Sequence, residues 1–142
     1  MSNILGGIVV GLFSGIIVGL LTMVSDAVFY SKNGKGLKAA RQYSNPLFQL
    51  GVFLAISLFY GAIQGIVFTW VAPILPTTSS IIRGILFGLI SYLILSRHFV
   101  EGFAFMNPEV FPTKMSVYLS IEFLAIYVLQ GLIISQGITF WS

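Results

Sequence analysis

Glu122 is the one acidic residue inside the last long apolar run of the chain, with Tyr118 four residues before it and Gln130 eight after. On a helix those spacings put all three on one face. A carboxyl group carried into lipid is costly, so such a residue is a functional hypothesis by default. The second apolar run carries its own polar stripe, Gln49, Ser57, Tyr60 and Gln64, interrupted by Phe53. The first run contributes Asp26 near its end, and the third contributes Ser91 and Tyr92. Antiparallel helices would gather Asp26, Gln49, Tyr92, Tyr118 and Glu122 at one depth. Two chemistries fit that gathering. One is a small polar cavity for an ion, a proton or a polar head group. The other is an interhelical hydrogen-bond network that fixes helix register, each bond contributing about 0.6 and at most ~1.7 kcal/mol.

Other chemistries are narrowed or excluded. Cysteine is absent, so disulfides, iron–sulfur clusters and thiolate metal sites are ruled out. His98 is the only histidine, flanked by Arg97 and followed at three residues by Glu101. A His with Glu101 and Glu109 is too unspecific a set to predict a metal, and no metal or other cofactor is expected. Arg97, His98 and Glu101 read as interfacial residues, with Arg97 and Glu101 spaced for a weak helical ion pair. Arg83 reads as a second interfacial cation that snorkels to the membrane surface or meets lipid phosphate. No nucleophile–base pair is evident.

The elements that must position these residues are long and apolar. The 142-residue chain is 57% hydrophobic and 8% charged, against roughly 25% charged in soluble domains. We expect an all-α fold, a single membrane domain over 1–142 with four transmembrane helices at about 4–30, 46–71, 79–99 and 115–140. A bilayer core of ~30 Å needs about 20 apolar residues per helix. The N-terminal run lacks a basic leading region and is longer than the apolar core of a signal peptide, so it reads as a spanning helix. Pro46 suits a first helical turn, the Ala72-Pro73-Ile74-Leu75-Pro76 stretch breaks the second helix, and Thr77 to Ser80 offer N-caps for the third.

Orientation follows from basic residues. Lys32, Lys35, Lys38 and Arg41 occupy the first loop, Arg97 and Lys114 flank the third, and only Arg83 lies on the other side. Six against one predicts loops one and three in the cytoplasm and both termini on the non-cytoplasmic side. The net charge of +3 is explained by these topology signals, and no nucleic acid is expected as a partner.

Glycines mark the contact faces. Gly7, Gly11, Gly15 and Gly19 recur every four residues, a glycine zipper, and Gly61/Gly65 and Gly84/Gly88 repeat the spacing in later helices. Smooth faces of this kind let helix backbones approach closely in lipid. The economical use is tight packing within the four-helix bundle; the alternative is docking of a second subunit. The third loop, with Phe99, Phe103, Phe105, Met106, Val110 and Phe111, is too apolar to stand free in water and is expected to lie in the interface or against a partner.

With a basic first loop, a proline-containing second loop and the opening Arg83-Gly84-Ile85-Leu86-Phe87-Gly88-Leu89, the chain resembles small four-helix prokaryotic integral membrane proteins of unknown function. The resemblance implies architecture and an inner-membrane location, not an activity. Arg41-Gln42-Tyr43-Ser44-Asn45 is also similar to the first half of the Arg-x-x-x-Asn-x-x-Glu signature of the membrane-associated eicosanoid and glutathione metabolism family. That resemblance implies glutathione binding, although Phe48 stands where the family has Glu, and Arg97 with Gly102-Phe103 only loosely follows the family's later pattern. The helix-one glutamate of small multidrug exporters is missing, as is the glycine-rich, arginine-containing motif of dual-topology fluoride channels.

The expected role is therefore a non-catalytic accessory or structural subunit, packed against other membrane chains or a copy of itself and in contact with bound lipid. Two alternatives stand beside it. One is a small ion or solute carrier built on the polar cluster around Glu122. The other is a glutathione-binding membrane enzyme.

Overall fold

A computed structural model describes residues 2–33, 46–95 and 113–141. Among these the chain is all-helical: α1 (Ser2–Asn33), α2 (Pro46–Val71), α3 (Ser80–Ser91) and α4 (Thr113–Trp141), with a single 3₁₀ turn at Ala72–Ile74. In lipid every backbone amide and carbonyl must be satisfied within its own segment, and continuous helices do this. Three stretches are long and apolar enough to cross a membrane: Ile4–Ser25, Leu50–Ile74 and Ser120–Trp141. The apolar part of the third helix, Ser80–Leu95, is shorter. At 1.5 Å per residue it reaches about 24 Å. Its last turn widens to π-type geometry over 92–95. The helix expected to reach 99 is thus helical as far as 95, and 96–112 lie outside the described residues.

Local signals act where the chain places them. Pro46 is the first residue of α2, where its missing N–H would be unpaired anyway. Ser79 caps α3 by accepting from the Ile82 N–H. Of the four N-cap candidates Ser79 is the cap, with an extended backbone and its hydroxyl turned to the first helical turn.

The helices form two close pairs. In α1 the buried positions come in twos four residues apart: Gly6/Gly7, Val10/Gly11, Ser14/Gly15 and Val18/Gly19. Gly7, Gly11, Gly15 and Gly19 face α2. A Cβ added at Gly7 would lie 2.7 Å from the Gly65 carbonyl oxygen, one at Gly11 would meet the Gly61 carbonyl, and one at Gly15 would meet the Ser57 carbonyl. Gly6 and Val10 face α4, against Trp141 and Gly137. In the second pair, a Cβ at Gly84 would sit 2.8 Å from the Gly131 carbonyl oxygen and one at Gly88 would sit 2.5 Å from that of Tyr127. The α1 ridge is therefore filled by α2 of the same chain, and none of Gly7, Gly11, Gly15 and Gly19 is exposed for a second subunit.

The seam between α2 and α3 is closed by side chains instead of backbone. Phe68 and Phe87 stand edge to face with ring centroids 5.1 Å apart, and with Val10 and Ile134 they make the apolar core. Among the described residues the innermost side chains are polar as often as apolar. Ser14, Gln64, Ser91, Glu122, Gln130 and Ser135 are buried, beside Val10, Val18, Phe68, Phe87 and Ile134. Large apolar side chains such as Phe13, Ile56, Phe59 and Trp70 are turned outward. That distribution suits a chain solvated by hydrocarbon, where apolar groups gain nothing by hiding from their surroundings.

Candidate functional site

Polar side chains inside the bundle fall into two groups of different character. The first spans the middle of α2, where Tyr60 and Gln64 flank the centre of the Leu50–Ile74 stretch. The Tyr60 and Tyr127 hydroxyls are 2.8 Å apart. The Gln64 amide donates to the Tyr60 hydroxyl at 2.9 Å. Ser91 donates to the Gln64 carbonyl oxygen at 3.2 Å. The Tyr127 ring also packs edge-on against Tyr60 and Tyr92, with centroids 6.2 and 6.3 Å away. Three helices, α2, α3 and α4, are tied together by this chain of bonds. A hydrogen-bond partner for each group is the condition for holding such side chains away from water.

The second group lies at the end of the bundle nearest the first and third loops. A cavity of about 330 Å³ opens between α1 and α4, lined by Leu21, Ser25, Tyr118, Ile121, Glu122, Ala125 and Ile126. Ser25 closes the apolar stretch of α1, and Ser120 opens that of α4. The cavity therefore sits where both apolar segments meet the polar ends of their helices. The Ser25 and Tyr118 hydroxyls bond to each other across the seam. Glu122 borders the cavity but is only 9% exposed, and both of its carboxyl oxygens are buried. Leu21 and Ile121, on the outer face, are 46% and 63% exposed. Such a site offers a compact molecule a mostly apolar surface with Glu122 buried behind it, and among the described residues it sets no nucleophile against a base.

The residues expected at the polar site are distributed as follows. Tyr118 and Glu122 share the cavity. Tyr92 stands in the other group, against Tyr127. Asp26 is within α1, and Gln49 is within α2, but their side chains lie outside the described residues, as do Arg97, His98, Glu101, Arg41, Asn45 and the whole third loop. Arg83 is turned into the connection before α3, where its Nε donates to the Thr77 carbonyl at 2.7 Å. Ser25, Tyr127 and Ser135 were not anticipated as site or network residues. Ser135 could have been found: with Gly131 it makes a small-xxx-small pair, and it donates to the Ser80 carbonyl at 2.6 Å where α4 meets α3. The hydroxyls of Ser14, Thr22, Thr69 and Thr139 donate to carbonyls one turn back on their own helices.

No protein-family model, curated protein or solved structure matches the chain.

Proposed function

We propose that this is a non-catalytic integral membrane protein that binds a small ion or solute at the Glu122 cavity and acts as its carrier. The observation that carries this reading is a buried glutamate bordering a cavity near the end of an apolar segment long enough to span a membrane. Burial of an ionisable group in such a segment is costly, and such groups mark ion and substrate pathways. Further support comes from the depth distribution of polar groups along α4, where Tyr127, Gln130 and Ser135 follow Glu122 toward the far end. The surplus of basic residues in the first and third loops supports a cytoplasmic position for those loops, with both termini outside and the cavity in the cytoplasmic half.

An accessory-subunit role rests on the α1 glycine ridge, which is covered within the chain, and on the aromatic third loop, which lies outside the described residues. The glutathione reading rests on Arg41 and Asn45, and no described residue adds to it.

The test is reconstitution of the purified chain into liposomes, with proton- and sodium-driven uptake of small cations measured for wild type and Glu122→Gln. Uptake that disappears in the variant, with the fold intact by circular dichroism and gel filtration, supports the carrier. Equal uptake by both removes Glu122 from the path.

A further inference from the structure

We infer that the end of the bundle bearing Trp70 and Trp141 docks in the headgroup and glycerol layer of one phospholipid leaflet and sets the depth of the chain in the bilayer. This rests on the reading of the chain as a membrane protein and is independent of carriage at the Glu122 cavity. Three observations converge on it.

The first is where the tryptophans stand. The chain has two, and both are at the same end of the bundle. Trp70 is in the last turn of α2, and Trp141 closes α4. Trp141 stands against Gly6 near the start of α1. Gln136, also at this end of α4, donates to the Ser80 hydroxyl at the start of α3. The apolar stretches of α1, α2 and α4 reach their limits here too, at Ile4, Ile74 and Trp141.

The second is exposure. Trp70 is 66% and Trp141 57% exposed, and Ile74 and Phe140 at the same end are exposed as well. An indole joins a large apolar ring to a polar N–H. Hydrocarbon satisfies only the ring and water only the N–H, so such side chains gather where acyl chains meet headgroups.

The third is charge. The segments that build this end, 1–10, 70–84 and 131–142, contain one charged residue, Arg83. Its Nε donates to the Thr77 carbonyl at 2.7 Å, which holds the guanidinium beside the connection into α3. A cation at that level complements lipid phosphate, and a guanidinium matches phosphate geometry.

Docking at this end places the other polar groups. Glu122 and Trp141 are both on α4, about 28 Å apart along its axis. A bilayer core is ~30 Å thick, so the cavity arrives at the opposite boundary. Tyr60 is about 15 Å from Trp70 along α2, which puts the tyrosine network near the middle.

The experiment uses the full chain in liposomes of phosphatidylcholine and phosphatidylglycerol, doped in turn with lipids brominated near the top, at the middle or near the end of the acyl chain. Both fluorescent indoles are at this end, so the emission of the unaltered chain reads it directly; Trp70→Phe and Trp141→Phe separate the two. All three proteins should emit to the blue of indole in water. Their quenching should be strongest with the shallow bromine and fall with depth. Strongest quenching by the middle or deep bromine in any of the three overturns the inference. Quenching by aqueous iodide alone places this end in water and overturns it as well. Quenching by neither means that a protein, such as a second copy, covers the indoles, and that outcome overturns it too. A second measurement leaves the tryptophans untouched. A nitroxide on Arg83→Cys should collide more with a water-soluble nickel complex than with oxygen. One on Phe59→Cys, exposed at mid-span of α2, should show the reverse. Equal ratios at the two sites overturn the inference. Loss of the chain from the liposomes on an alkaline wash removes the membrane reading together with this one. Retention with deep quenching removes this one alone.

Discussion

The Tyr60 and Tyr127 hydroxyls meet 2.8 Å apart between α2 and α4, and Gln64 donates to the same Tyr60 oxygen from one turn along α2. Tyr60 is thus an inner link of the network, and Tyr127 one of its ends. Tyr60→Phe removes two hydrogen bonds and leaves the Gln64 amide without its acceptor. Tyr127→Phe removes one. We expect Tyr127→Phe to cost about 0.6 kcal/mol and no more than ~1.7, with Tyr60→Phe costing more. In the double variant the costs should fall short of the sum, because the shared bond is lost only once. Denaturation in mixed micelles reads all three.

Glycines of α1 and α2 should respond in opposite ways according to what faces them. Gly11 and Gly61 approach backbone to backbone, whereas nothing lies within 4 Å of a Cβ built at Gly51. Gly11→Ala should destabilise by about 1–3 kcal/mol through overpacking, and Gly11→Leu should prevent recovery of folded protein. Gly51→Ala should be neutral or stabilising by up to ~1 kcal/mol, since alanine is the better helix former and meets no neighbour. Thermal melting compares them directly.

The contact between α1 and α4 can be trapped covalently. A Cβ at Gly137 would stand 3.4 Å from the Val10 Cβ, close to the ~3.8 Å mean of disulfides. The chain has no cysteine of its own to interfere. Val10→Cys with Gly137→Cys should form an intramolecular disulfide under mild oxidation, read as a mobility shift reversed by reductant. Val9→Cys with Gly137→Cys should not, because Val9 is turned to the exposed face of α1.

Sidedness gives a fourth prediction. In intact cells a membrane-impermeant maleimide should label Thr78→Cys, between α2 and α3, and spare Lys35→Cys until the membrane is opened. The reason is the six-to-one partition of basic residues between the two sides. The reverse pattern would place the Glu122 cavity in the outer half.

Composition and the length of the apolar runs determine, by themselves, that the described chain is helical and that three helices are fit to span a bilayer. Lipid offers backbone groups no partner, so an apolar run of sufficient length has the helix as its one stable local form. Spacing alone also marks which side of α1 is smooth, and Pro46 and Ser79 mark where helices start. What spacing along one helix leaves open is the rotation and axial offset of its neighbour. Only the tertiary structure decided that Gly7 meets Gly65 and Gly11 meets Gly61, so that the ridge is satisfied within the chain. It also separated residues that share a pattern: Tyr118 and Glu122 border a cavity with Ser25, while Tyr60, Gln64 and Ser91 bind one another and Tyr127. A polar residue's periodicity names the face it occupies, whereas its chemistry depends on which foreign helix stands opposite, and that is settled by packing of all four helices together.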